Sequence, residues 1–144
     1  MENEVVIDAT GHIMGRLASV VAKLLLNGKK VHVVNVENCY ISGNRRSVID
    51  EWKAFFNVKS RIHPRHTPKH HKRPDRIFTR VVRGMLPRNK PRGRQALKRL
   101  RTYHGIPEQL RGKKLLKVED ALARRPRPFY LTLGELAKEL GWKG

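Results

Sequence analysis

The sequence predicts an α/β domain, and the pattern of its first 36 residues is the main reason. An apolar run at residues 5–8 is typical of a buried strand, and a second, β-branched run spans residues 31–36. Between them, apolar residues repeat at the spacing of one helix face: Leu17, Val20, Val21, Leu24 and Leu25. Strand, helix and strand in this order predict a βαβ unit with parallel strands and a right-handed crossover.

Turn-forming residues predict where the first elements begin and end. Residues 11–15 predict a turn before the first helix, and Asn27-Gly28 predicts its end. Tyr40-Ile41 predicts a third short strand, after which Ser42 or Asn44 is expected to cap the next helix. That helix carries a largely aromatic stripe, which we interpret as core packing rather than base stacking: Val48, Ile49, Trp52, Phe55 and Phe56.

The middle of the chain predicts an extended basic loop followed by a helix. Residues 57–76 show no helical or strand period and are rich in Pro, His, Lys and Arg. Asp75 is the predicted N-cap of a short helix that ends at Pro87. The predicted apolar residues of this helix are Ile77, Val81 and Met85.

The next segments are less regular. Residues 90–94 predict a basic turn, and a further helix carries Ala96, Leu97 and Leu100. Periodicity does not decide whether residues 101–103 form a last helical turn or a short strand. It also does not decide whether residues 115–118 form a strand or a helix. Residues 124–128 are expected to be extended, because the residue before each proline is pushed away from helical geometry.

The final helix is the most clearly marked element of the chain. Thr132 and Glu135 have the spacing of a capping box, and Gly141 is the expected stop. Leu133, Leu136 and Leu140 form its predicted apolar face. We find no internal repeat and no boundary between domains. Residues 1–144 are therefore expected to form a single domain, with a basic loop at about 57–76 and a C-terminal helix at about 132–141.

Charge is distributed very unevenly along the chain. The 144 residues include 32 Lys and Arg against 12 Asp and Glu, a formal net charge of +20. Residues 52–107 carry +16 of this, because they contain 17 basic residues and a single acid, Asp75. Such a charge predicts an acidic partner. A membrane surface is disfavoured, because prolines interrupt any amphipathic helix through the densest stretch, and no apolar run is long enough to span a bilayer.

The basic residues between 80 and 101 favour a phosphate polymer as that partner. No acid interrupts the sequence between Asp75 and Glu108, and arginine, which suits bidentate phosphate contacts, outnumbers lysine there. Motifs typical of single-strand recognition are absent, so the pattern favours recognition of folded RNA through its shape and backbone. The lone Cys39 cannot form an internal disulfide, and the acidic start shows no signal-peptide pattern. A cytoplasmic location is expected.

Two candidate sites of other kinds remain open at this point. The turn Gly11-His12-Ile13-Met14-Gly15-Arg16 could be a plain tight turn or could hold a nucleic-acid phosphate on its N–H groups. It lacks the Lys-Ser/Thr of a P-loop and the spacing of a dinucleotide site, so a nucleotide-using enzyme is the weaker alternative. The histidine-rich residues 63–71 could form a metal module, but the surrounding Lys and Arg residues would repel a cation.

Several motifs together resemble a known family, and the similarity covers nearly the whole chain in the right order. They are Asp8-Ala9-Thr10-Gly11, Gly15-Arg16-Leu17-Ala18-Ser19, Val33-Val34-Asn35, Ile41-Ser42-Gly43-Asn44, Val82-Arg83-Gly84-Met85-Leu86-Pro87 with Arg92-Gly93-Arg94, and Leu133-Gly134-Glu135 with Gly141-Trp142. This pattern is similar to the universal L-thirteen family of large-subunit ribosomal proteins, of the archaeal and eukaryotic type. Residues 63–71 depart from the family's usual pattern.

The resemblance implies a three-layer α/β/α domain with a small, mainly parallel sheet. It implies a structural, non-enzymatic protein without cofactor or bound metal, whose partners are large-subunit ribosomal RNA and neighbouring ribosomal proteins, with a part in assembly and translation. The expected rRNA-binding residues are Arg16, Arg45, Arg46, Arg61, Arg65, Lys69, Lys72, Arg73, Arg80, Arg83, Arg88, Lys90, Arg92, Arg94, Lys98, Arg99 and Arg101. Gly11 and Gly15 are the expected backbone phosphate-binding positions.

Overall fold

The computed structural model describes residues 4–58, 62 and 71–143, and the structural statements below concern these residues. In chain order, the strands are β1 (Glu4–Asp8), β2 (Lys30–Val34), β3 (Tyr40–Ser42), β4 (Leu100–Thr102) and β5 (Tyr130–Thr132). The α-helices are α1 (Met14–Leu26), α2 (Arg45–Phe56), α3 (Pro74–Gly84), α4 (Pro91–Lys98) and α5 (Leu133–Glu139). None of the helices described here is long and apolar enough to cross a bilayer.

The strands form a parallel sheet and a separate antiparallel pair. The parallel sheet has the order β1-β2-β4, with Val31 of β2 placed between Val5 and Leu100. This arrangement confirms the predicted α/β class and the βαβ unit. β3 pairs antiparallel with β5, whose existence the sequence pattern did not predict.

The two faces of the parallel sheet are covered differently. Ile7, Val33 and Leu100 face the main core, where α1 packs against α3 and α4. Val6 and Val34 lie on the other face and pack with Leu110, which belongs to a 3-10 turn at Glu108–Leu110. Within the described chain, the cover of this second face is thus a 3-10 turn and its neighbours rather than an α-helix.

Helices α1 and α2 follow the sequence prediction closely. Leu17, Val21 and Leu25 of α1 are fully buried, and the helix ends at Asn27. The Asn44 side chain caps α2 by accepting a hydrogen bond from the backbone N–H of Arg46 at 2.9 Å. In the aromatic stripe, Val48 and Ile49 are buried and Trp52 and Phe56 are partly buried against the core, while Phe55 makes edge-to-face contacts with both aromatic neighbours.

Helix α3 starts earlier than the sequence predicted. Pro74 is its first residue and Arg73 its N-cap, so Asp75 lies in the first turn and is not the cap. The fixed φ of proline favours this first position of a helix. Residues 74–76, which the sequence placed in the predicted basic loop, therefore belong to α3. The apolar face is formed by Ile77, Phe78 and Val82, whereas Met85 lies beyond the helix end and is 43% exposed.

Helix α4 replaces the basic turn predicted at residues 90–94. Pro91 is again the first helical residue, and Gly93 lies inside the helix, where it is buried against Pro87. β4 contains Arg101 and Thr102 of the ambiguous residues 101–103, together with Leu100, which the sequence pattern placed on the preceding helix. The backbone from Leu100 to Thr102 pairs with β2. Tertiary pairing of this kind is not visible in local periodicity.

The C-terminal region combines a confirmed helix cap with irregular structure. The Thr132 hydroxyl accepts a hydrogen bond from the N–H of Glu135 at 3.1 Å, as the capping pattern predicts. Of residues 115–118, only Leu116 makes a strand-like contact, a single bridge to Ile7. This segment is therefore neither a helix nor a regular strand.

Candidate nucleic-acid interface

A set of exposed cations lies along α3, α4 and their connection. We call it the α3–α4 basic surface and define it as Arg83, Arg88, Lys90, Arg92, Arg94 and Lys98. Buried Val82 and Ala96 anchor the two helices in the core, and both helices pack on α1. The backbone positions of these cations are thus set by a packed scaffold rather than by a free loop.

The α3–α4 basic surface is electrostatically unpaired. The ion pairs among described residues that involve an arginine or lysine belong to Arg45, Arg73, Lys113 and Arg127. None of the six cations of the surface lies within ion-pair distance of a carboxylate in the described part of the chain. A stable protein normally intersperses both signs over its surface, so this charge is available to an external anion.

A close backbone approach holds α4 in place. A Cβ atom on Gly93 would lie 2.0 Å from the carbonyl oxygen of Pro87. Only glycine therefore allows α4 to pack this tightly against the α3–α4 connection. Arg92 and Arg94 flank this contact on either side in the sequence, so the same contact fixes the backbone from which both side chains extend.

Two expected RNA-binding arginines next to this surface make intramolecular hydrogen bonds, and a third lines a groove. Arg99 donates from Nη2 to the carbonyl of Leu25 at 2.7 Å, and so satisfies the last turn of α1. Its Nε is buried and has no hydrogen-bond partner among the described residues. Arg101 is exposed and donates to the carbonyl of Leu100 at 3.2 Å. Arg80 is partly buried at a groove between α2 and α3.

The other expected cations divide between paired and unpaired groups. Arg45 lies 3.0 Å from a carboxylate oxygen of Glu135, and Arg73 lies 3.0 Å from one of Asp75. The remaining cations are exposed and have no ion pair with a carboxylate that the structure describes: Arg16, Arg46 and Lys72. Adjacent residues of one helix, Arg45 and Arg46, thus belong to different classes.

Part of the predicted site lies outside the described residues. This applies to Arg61, Arg65 and Lys69, and to the histidines at 63, 66 and 70. Within residues 4–58, 62 and 71–143, no group of three or more His, Cys, Asp or Glu side chains is placed to hold a metal ion. The histidine-rich stretch is not tested by this observation.

Backbone hydrogen bonds join the glycine turn before α1 to the C-terminal region. The N–H of Ile13 donates to the carbonyl of Ala121 at 2.7 Å, and the carbonyl of Gly11 accepts from Ala123 at 2.9 Å. Gly11 has a φ of 77°, a left-handed backbone conformation that favours glycine at this position. Gly11 therefore belongs to a tight turn that is hydrogen-bonded within the protein. Gly15 is exposed, with no atom within 4 Å of where a Cβ would lie, so its backbone remains open to a ligand.

Asp8 stabilises this turn from the end of β1. Its Oδ1 accepts hydrogen bonds from the Thr10 N–H at 3.0 Å and from the Asn35 side chain at 3.1 Å. Burial alone would raise the pKa of Asp8, but these hydrogen bonds outweigh it and lower the pKa. An ionised carboxylate at this position disfavours a nucleotide phosphate beside it.

A buried histidine, which sequence reasoning did not single out, joins the turn to the C-terminal region. His12 is fully buried; its Nε2 accepts from the Val118 N–H at 2.9 Å, and its Nδ1 lies 3.1 Å from the Thr10 carbonyl. This geometry requires neutral imidazole with the proton on Nδ1. Burial lowers the pKa of His12, which keeps it neutral.

Sequence reasoning also omitted exposed cations in the C-terminal half. They are exposed and have no ion pair within the described chain: Arg111, Lys114, Lys117, Arg124 and Arg125. The alternation of arginine and proline at residues 124–128 is the sequence feature that could have identified the last two. Cys39, by contrast, is buried, and burial raises the pKa of its thiol.

Comparison with known proteins gives a consistent result. The family described as "Ribosomal protein L13" matches residues 2–109. The chain is 49% identical to "Large ribosomal subunit protein uL13" of Aeropyrum pernix, over 98% of this chain and 92% of that protein. Proteins of the same name from Archaeoglobus fulgidus (45% identity, covering 96% of this chain and 88% of that protein) and Sulfolobus acidocaldarius (43%, covering 97% and 95%) are also similar. The chain belongs to the ribosomal protein L13 family.

Proposed function

We propose that this protein is a structural constituent of the large ribosomal subunit that binds and stabilises its rRNA. The relatives are named as large-subunit proteins, and the family is a structural ribosomal one rather than an enzyme family. Its place is then the cytoplasmic ribosome, where it supports subunit assembly and translation. Its contacts there are rRNA and neighbouring ribosomal proteins.

The α3–α4 basic surface is the observation that carries the proposal. Its cations lie in two helices and a short connection, and described carboxylates leave all of them unpaired. Each phosphate that such a cation neutralises releases condensed counterions, which is the main source of affinity between proteins and nucleic acids. Because packed helices already fix the backbone of these cations, binding costs little backbone conformational entropy, and the main entropic cost is the lost rotamer freedom of the exposed side chains.

The mechanism is neutralisation and cross-linking rather than base reading. Arginine forks suit phosphate oxygens bidentately, and A-form RNA presents its backbone and 2′-hydroxyl groups more readily than its deep major groove. Arg46 and Arg16 extend the unpaired charge to the starts of α2 and α1. A protein with cations on several helices can neutralise the mutual repulsion of RNA segments that meet there.

The proposal extends to residues that the geometry does not test. We include Arg61, Arg65 and Lys69 as phosphate contacts, since they continue the basic character of residues 52–107. The exposed Gly15 is included as a backbone contact beside Arg16. Residues 1–144 are proposed to act as one ribosomal-protein domain. For Arg45, Arg73, Arg99 and Arg101, RNA contact requires leaving or sharing an existing intramolecular contact.

A salt titration with matched variants tests this function. Affinity for deproteinised large-subunit rRNA should fall steeply with salt, with a log–log slope of about −0.7 to −0.9 per phosphate contact. Arg92→Ala/Arg94→Ala should weaken binding and make the slope shallower by about two contacts. Lys138→Ala/Lys143→Ala removes the same charge outside the α3–α4 basic surface and should change the slope less.

Three results would count against the proposal. A flat salt dependence of the wild-type protein would show that phosphate contacts do not drive binding. Equal slopes for the two double variants would show that net charge alone matters and that the α3–α4 basic surface has no special part. A wild-type protein that fails to co-sediment with the large subunit after a moderate salt wash would contradict the structural role.

A further inference from the structure

One aromatic side chain outside the α3–α4 basic surface is held in an exposed position. Phe129 is 51% exposed, although its backbone is fixed on both sides. Its N–H donates to the carbonyl of Pro126 at 3.0 Å, and its carbonyl accepts from the N–H of Gly43 at 2.9 Å. A half-exposed phenyl ring on a backbone that is hydrogen-bonded on both sides suits binding better than core packing.

The ring borders a small hollow, which we call the Phe129 hollow. Its other lining residues are Ser42, Gly43, Asn44, Arg125 and Pro128. The volume is about 260 Å³, below the range of about 300–1,000 Å³ that drug-sized ligands occupy. The hollow therefore suits a single planar group rather than a whole cofactor.

The polar groups around the hollow suit a nucleotide. The Asn44 carbonyl oxygen is occupied by the α2 cap. Its amide N–H donors make no hydrogen bond within the part of the chain that the structure describes, and they suit the acceptors of a base edge. Arg125 lies with its guanidinium carbon 6.0 Å from the Phe129 ring centre. Neither Arg124 nor Arg125 has an ion pair with a described carboxylate, so both can contact the phosphates that flank a base.

We propose that the Phe129 hollow is a stacking site for one unpaired base of the rRNA. The base would lie on the Phe129 ring, with Asn44 at its edge and with Arg124 and Arg125 on the adjoining phosphates. Bases stack on aromatic side chains with little dependence on sequence. The inference rests on the proposed rRNA binding and adds base stacking to a mechanism that otherwise uses only the backbone.

Charge favours RNA over a protein segment as the occupant. Interfaces between proteins place complementary charges opposite each other, and a protein partner would have to bring carboxylates to both arginines as well as an apolar group. An unpaired nucleotide brings a π-face and phosphates together in one unit. Arg127, the third arginine nearby, is not available, because it is paired with Glu135 at 2.7 Å and stacked on Tyr40.

Two measurements on the full chain test the stacking site. First, the affinity for deproteinised large-subunit rRNA is measured at fixed salt for Phe129→Leu, with Phe129→Tyr as the matched control. Phe129→Leu should bind about tenfold more weakly, with its salt slope unchanged because no phosphate contact is lost, whereas Phe129→Tyr should keep the wild-type affinity. Second, 4-benzoylphenylalanine placed at position 129 in assembled large subunits should cross-link to an unpaired rRNA nucleotide.

The outcomes separate this inference from the proposed function. A steep salt slope together with equal affinities for wild type and Phe129→Leu would overturn the stacking site alone. A cross-link to a ribosomal protein would also overturn it and would identify a protein partner instead. A flat salt slope of the wild type would overturn both proposals. Should Phe129→Leu lower the melting temperature, the cross-link from position 129 decides: a cross-link to an unpaired rRNA nucleotide supports the stacking site, and the absence of any rRNA cross-link overturns it.

Discussion

Two regions of this molecule use arginine in opposite ways. On the α3–α4 basic surface, six cations have no described carboxylate in range. Where α2 meets α5, Arg45 and Arg127 both pair with Glu135, and Arg45 also reaches Glu139 at 3.4 Å. We call this second group the paired corner. The comparison teaches that the position of carboxylates, and not the presence of arginine, separates a binding surface from a structural contact.

The paired corner holds together parts of the chain that are distant in sequence. The distance from Arg127 to Glu135 is 2.7 Å, and the Arg127 guanidinium lies 5.1 Å from the centre of the Tyr40 ring. The Glu135 side chain is 36% exposed, so each ion pair contributes at most about 1 kcal/mol. The arginines of the paired corner therefore stabilise the fold modestly. The arginines of the α3–α4 basic surface break no ion pair with a described carboxylate when they bind RNA.

The largest effect on stability and rRNA affinity is expected from a change that displaces the α3–α4 basic surface without altering its charge. Gly93→Ala places a methyl group 2.0 Å from the Pro87 carbonyl oxygen, so α4 must shift. The free energy of unfolding should fall by about 2–3 kcal/mol, as measured by urea denaturation, and rRNA affinity should fall with it. Gly84→Ala is the control, because nothing lies within 4 Å of its Cβ position. Equal stability of the two variants would contradict the close packing.

The next largest effect is expected at the paired corner. Glu135→Gln keeps the side-chain shape but removes the charge that two arginines share. The free energy of unfolding should fall by about 1 kcal/mol, while rRNA affinity should not decrease. Glu139→Gln affects only the longer contact with Arg45, so it should lower the free energy of unfolding by less. If the denaturation midpoints of both variants match the wild type, the corner is not a stabilising contact.

Adjacent residues of α2 sharpen the comparison further. Arg46→Ala removes an unpaired cation and should weaken rRNA binding about fivefold at 0.1 M salt, which corresponds to one phosphate contact, with unchanged stability. Arg45→Ala removes a paired cation, so it should lower stability by about 0.5 kcal/mol and affect binding less. Parallel filter-binding and thermal melting assays measure both quantities. A reversed order of affinities would show that pairing in the free protein does not predict RNA contact.

The smallest effect concerns pH and separates folding from binding. The pKa of His12 is lowered in the folded state by burial, so the unfolded chain takes up this proton first, below its ordinary pKa of about 6.5. Stability should therefore decrease as the pH falls from 7.5 to 5.5, and less so in His12→Gln. Arginine and lysine keep their charge over this range, so rRNA affinity should not decrease. Identical pH dependence of stability in both proteins would contradict a neutral, buried His12.

Much of the fold was predictable because local patterns are strong in this chain. The apolar spacing of α1 and the caps Asn44 and Thr132 depend on residues three or four positions apart, so the sequence shows them directly. The start of α3 was predicted two residues too late, since proline at the first helical position was not weighed against Asp75. β5 was missed because its only strand partner, β3, lies about 90 residues away.

The sequence by itself determined the family, the βαβ unit and the concentration of charge in residues 52–107. The family follows from the resemblance of motifs along the chain, whereas the βαβ unit and the charge distribution follow from short-range periodicity and composition. Only the tertiary structure decided which arginines are paired, that Arg99 closes the end of α1, that Gly93 meets Pro87, and that Phe129 borders a small hollow. Each of these depends on a distance between atoms on different elements. Such distances are set by how the helices pack on the sheet, which no local pattern encodes.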